Sequence, residues 1–137
     1  KKKKKIKSIY SFYTDGDYSK SLINNNGNLN MNGREILNFC LEKVPYVLRK
    51  ILKDNNIKIE NIRHFFFHQG SKFIIQKLRK KLKIKSDKMP LHILNIGNTV
   101  SSSLPLTIEK FRLKKVKKPV IICGFGVGLS VSMCLIK

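Results

Sequence analysis

The sequence predicts a layered α/β domain with a mixed sheet, in the order βαβαβαββ. Two patterns carry that prediction. Apolar residues recur at intervals of three and four along residues 33–53 and 72–83, and short apolar runs without that period lie between and after them. In addition, three polar or glycine turns stand where strands are expected to end: His68-Gln69-Gly70-Ser71, Gly97-Asn98-Thr99 and Gly124-Phe125-Gly126-Val127-Gly128. Open α/β sheets bind ligands at the carboxyl ends of their strands, so three such turns converging at one edge make one candidate site.

The lysine run Lys1 to Lys5 opens a disordered basic end, residues 1–7, and residues 8–137 are expected to form the domain. Partial alternation over Ile6 to Tyr13 predicts a first strand that stops at Thr14-Asp15-Gly16-Asp17. Residues 21–32, rich in Asn and Gly, read as a long surface loop. From Gly33 to about Lys53 the positions Ile36, Leu37, Cys40, Leu41, Val44, Val47, Leu48, Ile51 and Leu52 form one helical face. Pro45 inside it is expected to kink or divide the helix, because proline removes an i to i−4 hydrogen bond.

A short connection leads to the strand that ends at His68. The following helix turns Phe73, Ile74, Leu78 and Leu82 inward, with Lys72, Lys77, Arg79, Lys80, Lys81 and Lys83 outward. A strand over Met89 to Asn95, a helix after Asn98 carrying Leu104, Ile108 and Phe111, and strands over Pro119 to Cys123 and Leu129 to Ile136 complete the order.

Composition narrows the function. The net charge of +21 invites a nucleic-acid reading, since lysine and arginine neutralise phosphates. Yet only five of the 29 basic residues are Arg, and lysine is spread along the chain beside many Asn and Ile, which is a coding bias rather than a reading surface. Nucleic acid is therefore not expected as a partner. The apolar stretch from Pro119 to Ile136 is interrupted by Gly124, Gly126, Gly128, Ser130 and Ser132, so it reads as two strands rather than a membrane span. Cys40, Cys123 and Cys134 match no metal-ligand spacing and read as small buried residues in a reducing cytoplasm, with no metal expected. The chain begins Lys-Lys-Lys without Met and reads as a piece of a longer protein.

His68 alone says little, because a lone histidine after an apolar strand is commonly structural. In sequence order, however, His68-Gln69 with a basic helix, Gly97-Asn98-Thr99 running into Leu104-Pro105, and Gly124-Phe125-Gly126-Val127-Gly128-Leu129 resemble the C-terminal half of β-ketoacyl-acyl carrier protein synthase III. The segment Met31-Asn32-Gly33-Arg34-Glu35-Ile36 resembles the opening of that family's long helix.

The resemblance implies the C-terminal half of a thiolase-like fold and an acyltransferase of fatty-acid synthesis. Its substrates are an acyl-coenzyme A thioester and malonyl-acyl carrier protein, whose malonyl group is carried on a phosphopantetheine arm, with no bound cofactor. It implies His68 and Asn98 as the decarboxylation pair; Phe125, Gly126 and Val127 at the oxyanion and acyl pocket; and Lys72, Lys77, Arg79, Lys80 and Lys81 docking the carrier protein. The nucleophilic Cys belongs to an N-terminal half, and the full enzyme is expected to be a cytoplasmic homodimer. Two departures stand out: Gln69-Gly70-Ser71 where Gln-Ala-Asn is commoner, and Val131-Ser132 where Trp-Gly is usual. The alternative is a non-catalytic half of the same fold that binds carrier protein or a partner chain.

Overall fold

A computed structural model describes residues 6–111 and 118–137; Lys1 to Lys5 lie outside the described residues. Helix α1 (Gly33–Asp54) is the longest element. Asn32 caps it, its side chain accepting the Glu35 N–H. Its buried face, Phe39, Cys40, Val44, Val47, Leu48, Ile51 and Leu52, follows the predicted period. Pro45 does not divide it: the helix runs unbroken for 22 residues, with Pro45 buried on the same side. Burial of that side supplies the stability that the missing hydrogen bond removes.

The main sheet has the order β1-β6-β5-β4, with β1 (Ser8–Thr14), β4 (His64–Phe67), β5 (Val120–Gly126) and β6 (Ser130–Ile136). Strand β4 runs parallel to β5, while β5 with β6 and β6 with β1 are antiparallel, so the sheet is mixed as predicted. The backbone of Lys7 pairs with that of Lys137, so order begins before Ser8. Phe65, Phe67, Ile121, Cys123, Val131, Met133 and Leu135 pack against α1 and α2 (Lys72–Leu82) in one core.

The opposite face is covered unevenly. Helix α4 (Ser103–Lys110) lies over β4 and β5, where Leu104 approaches Gly124. Over β1 and β6 nothing among the described residues covers Tyr10 and Phe12, whose rings stack at 6.3 Å and are 61% and 70% exposed.

Four expectations need correction. Residues 21–32 are not a plain loop: β2 (Leu22–Asn25) and β3 (Asn28–Met31) form a hairpin. Asn26 and Gly27, at φ 51° and 87°, make the tight turn that matches strand twist. The strand expected over Met89 to Asn95 is absent. Pro90 has no N–H to give a ladder, and the chain instead enters a one-turn helix, α3 (Ile93–Ile96). On α2 the innermost residues are Ile75, Leu78 and Leu82, whereas Phe73 is 52% exposed. Phe111, expected on the helix after Asn98, falls just past the end of α4 and is 38% exposed.

The β5 to β6 turn is Val127-Gly128-Leu129, with Gly124 to Gly126 inside β5. Gly128 has φ +139°, and a Cβ there would stand 2.3 Å from Ser130 Oγ. Only glycine fits that turn.

Candidate active site

The three predicted turns meet. One cavity of about 520 Å³ is lined by His68 and Gly70 after β4, Asn98 after α3, and Phe125 and Gly126 at the end of β5. Its other walls are largely apolar: Leu22 and Met31 from the hairpin, Ile36, Leu37, Phe39 and Cys40 from α1, and Phe73 and Ile74 from α2. Such a chamber suits an apolar chain with its polar end toward His68 and Asn98.

His68 is placed by the sheet. Its N–H continues the β4 to β5 ladder by donating to the Cys123 carbonyl at 2.8 Å. Its ring meets Phe125 edge-on, with centroids 5.4 Å apart and planes at 72°. Ring Nδ1 lies 2.6 Å from Ser103 Oγ. Ring Nε2 lies on the Gly70 side, 3.0 Å from where a Cβ at residue 70 would stand, so glycine there leaves that nitrogen open.

Asn98 follows Gly97, whose φ of +65° turns the chain out of α3. The Asn98 Oδ1 accepts the Val100 N–H at 3.0 Å. That bond fixes the amide and leaves its NH₂ group free to donate. Val100 itself has φ +50°, unfavourable for a β-branched residue, so this loop holds backbone strain beside the site.

Some expected site residues are placed elsewhere. Val127 is 72% exposed and does not line the cavity, because it sits at the turn tip rather than in the strand. Lys72, Lys77, Lys80 and Lys81 are exposed on α2, with Lys77 Nζ 5.0 Å from the Phe73 ring centroid. Arg79 is not a free surface cation: it is half-buried, and both Nε and Nη2 donate to the Met89 carbonyl. Its side chain braces the segment after α2. Burial pushes the Cys40 thiol up to about 12 and raises that of Cys123 as well, so neither is a ready nucleophile.

Sequence reasoning used Gln69 only as part of a motif and gave it no role of its own, yet it is fully buried. Its Nε2 donates to the Phe67 carbonyl at 2.8 Å and to the Pro90 carbonyl at 3.4 Å. Its Oε1 accepts the N–H groups of His92 and Ile93 at 2.8 and 3.2 Å. One amide thus ties the end of β4 to the segment that delivers Asn98. The signal available was only its position directly after His68.

All three histidines lie below their ordinary range. Burial is the main cause in each; for His68 the Val100 backbone pulls the other way, and for His92 the Lys110 charge adds to the effect. For His64, Asp87 opposes the shift and Lys88 adds to it. A histidine whose folded value is lowered takes up its proton more readily in the unfolded chain. Stability is therefore fully present above the unfolded value of about 6.5 and is lost as pH falls from there through the lowered folded values. Urea midpoints measured across that window should fall with acidification; a flat profile would contradict the burial of these rings.

Comparison with known proteins follows the geometry. Residues 52–137 match the family model described as 3-oxoacyl-[acyl-carrier-protein (ACP)] synthase III C terminal. The β-ketoacyl-[acyl-carrier-protein] synthase III of Clostridium tetani is 34% identical over 93% of this chain, which covers 41% of the relative. That of Porphyra umbilicalis is 33% identical over 80% of this chain and 34% of its own length. A crystal structure of a 3-oxoacyl-(acyl-carrier-protein) synthase III superposes with a TM-score of 0.85 at 33% identity, covering 96% of this chain and 47% of that one. The Aquifex aeolicus enzyme superposes at 0.87 with 27% identity, over 93% of this chain and 43% of its own. The chain thus spans less than half the length of these relatives. Family model, sequence identity and superposition agree: the chain belongs to the 3-oxoacyl-acyl carrier protein synthase III family and has the thiolase-like fold of its C-terminal half.

Proposed function

We propose that this chain supplies the decarboxylation half of a β-ketoacyl-acyl carrier protein synthase III acting in fatty-acid synthesis. The observation that carries the reading is that His68 Nε2 and the free Asn98 amide both open on one apolar cavity. Two N–H donors aimed at a thioester oxygen stabilise charge that develops there. In malonyl-acyl carrier protein the carbon–carboxylate bond breaks, carbon dioxide leaves, and the electron pair passes through the α-carbon to the thioester oxygen as an enolate. His68 and Asn98 hold that oxygen. The enolate carbon then attacks an acyl thioester on a cysteine of the N-terminal half, and the cysteine sulfur leaves as thiolate.

The acyl group comes from a coenzyme A thioester, and Phe125 and Gly126 border it. Lys72, Lys77, Lys80 and Lys81 form the basic face for the acidic carrier protein, without Arg79. The cysteine-bearing half, the homodimer and the cytoplasmic setting rest on the family alone. Among the described residues no helix is long and apolar enough to cross a membrane.

The test is carbon dioxide release from malonyl-acyl carrier protein by this chain combined with the cysteine-bearing half of a relative. Asn98→Asp, nearly the same shape but without the NH₂ donor, should lose about 100-fold in rate. Equal release by the parent and Asn98→Asp would remove Asn98 from the mechanism. No release from an associated parent mixture would favour a binding module instead.

A further inference from the structure

We propose that Ser103 is a positioning residue that fixes the tautomer of His68, keeping the ring proton on Nε2 where it faces the cavity. The proposal rests on the decarboxylation reading for its purpose, though not for its geometry. Ser103 opens α4 and is fully buried. Its Oγ has two neighbours: it accepts the Gln69 N–H at 3.2 Å and lies 2.6 Å from His68 Nδ1.

A hydroxyl has one hydrogen to give. If Nδ1 carried the proton and donated to Oγ, the oxygen would accept twice and its own hydrogen would find no acceptor in hydrogen-bond geometry among the described residues, at a cost of about 1–3 kcal/mol. If the hydroxyl donates to Nδ1, every group is satisfied. Nδ1 is then bare, and in a neutral ring the proton sits on Nε2. That nitrogen is the one left open beside Gly70.

Ser103 is itself held. Its carbonyl accepts the Thr107 hydroxyl at 2.7 Å, and that hydroxyl lies 3.5 Å from His92 Nδ1. Among the described residues five polar residues are buried, and four of them, Gln69, His92, Ser103 and Thr107, belong to this cluster. Buried polar groups gathered around one imidazole rather than scattered through the core rigidify that imidazole. Ser101 and Ser102, neighbours in the same run, are exposed and share none of this.

The experiment reads the tautomer directly, by long-range proton–nitrogen correlation spectra of the nitrogen-15 histidine-labelled chain near neutrality. The parent should show His68 with Nε2 protonated and Nδ1 bare. Ser103→Ala should give a mixture of the two tautomers, and Ser103→Thr, which keeps the hydroxyl, should restore the parent pattern. In the carbon dioxide assay Ser103→Ala should lower kcat about 10- to 100-fold with KM unchanged, a loss of the size seen when the group that orients a metal-bound imidazole is removed. A parent spectrum with the proton on Nδ1, or a folded Ser103→Ala indistinguishable from the parent, overturns the proposal. Should Ser103→Ala fail to fold, the parent spectrum still decides. A parent mixture that releases no carbon dioxide would sink the decarboxylation reading while leaving the tautomer result standing.

Discussion

Carbon dioxide release from malonyl-acyl carrier protein should fall about 100- to 1,000-fold when His68 is replaced by alanine, the usual loss when one donor is removed from such a hole. The expectation follows from geometry. His68 sits at the end of β4 with its N–H in the ladder to Cys123, so its backbone position survives the change. Deleting the ring removes the Nε2 donor and the edge-on contact with Phe125. The ring is only half-buried, so the fold should tolerate its loss. Circular dichroism and a urea midpoint near that of the parent would establish this. His68→Gln, which keeps an N–H donor near the same place, should recover part of the rate. A folded His68→Ala that turns over like the parent would take the imidazole out of the reaction and leave Asn98 and the backbone to hold the oxygen.

The largest stability effect we expect from a single polar change is at Gln69. Gln69→Leu preserves volume but strands the His92 and Ile93 N–H groups and removes the donor to the Phe67 and Pro90 carbonyls. Each orphaned buried group costs about 1–3 kcal/mol, and partial relaxation of the short helix α3 brings the total to about 3 kcal/mol. Gln69→Glu keeps the acceptor for the two N–H groups and loses only the donor, so it should fall between the two. Urea unfolding of the three proteins would rank them. A Gln69→Leu chain within about 0.5 kcal/mol of the parent would mean that water or a shifted backbone replaces the amide. Because the segment pinned by Gln69 leads directly to Asn98, the leucine variant should also weaken catalysis without touching a catalytic group.

What the sequence made legible was local in origin. The period of α1 and α2 and the apolar runs of β4, β5 and β6 are written in neighbouring residues, and the structure follows them within a few positions. The hairpin was hidden because Asn24, Asn25, Asn26, Gly27 and Asn28 look like plain loop composition. Its Asn-Gly turn and the paired Leu22 and Met31 on either side were the usable sign. Pro90 was a local sign against the strand expected over Met89 to Asn95, but the helix that replaces it was not legible locally: the side chain that receives the first N–H groups of α3 is Gln69, more than twenty residues earlier. Ser103 was illegible for a similar reason. Three adjacent serines look alike until α4 buries one of them against His68. His68 and Asn98 were marked as candidates by turns expected at strand ends, and the role proposed for them rests on motif order, since their own neighbourhoods do not distinguish them from structural residues.

The pairing of the main sheet carries a last consequence. Every one of its ladders contains β5 or β6, so β1 and β4 have no partner until the final eighteen residues of the described chain arrive. On a ribosome, where the polypeptide emerges in order, α1 and α2 can coil early, but the edge that seats His68 must wait. A polypeptide stopped before Val120 would display Phe65, Phe66 and Phe67 beside a strand edge with nothing to close it, and chaperones and proteases would meet it in that state. The site is thus assembled only once β5 and β6 have been made, and termination before Val120 should yield an insoluble product rather than a weakly active one.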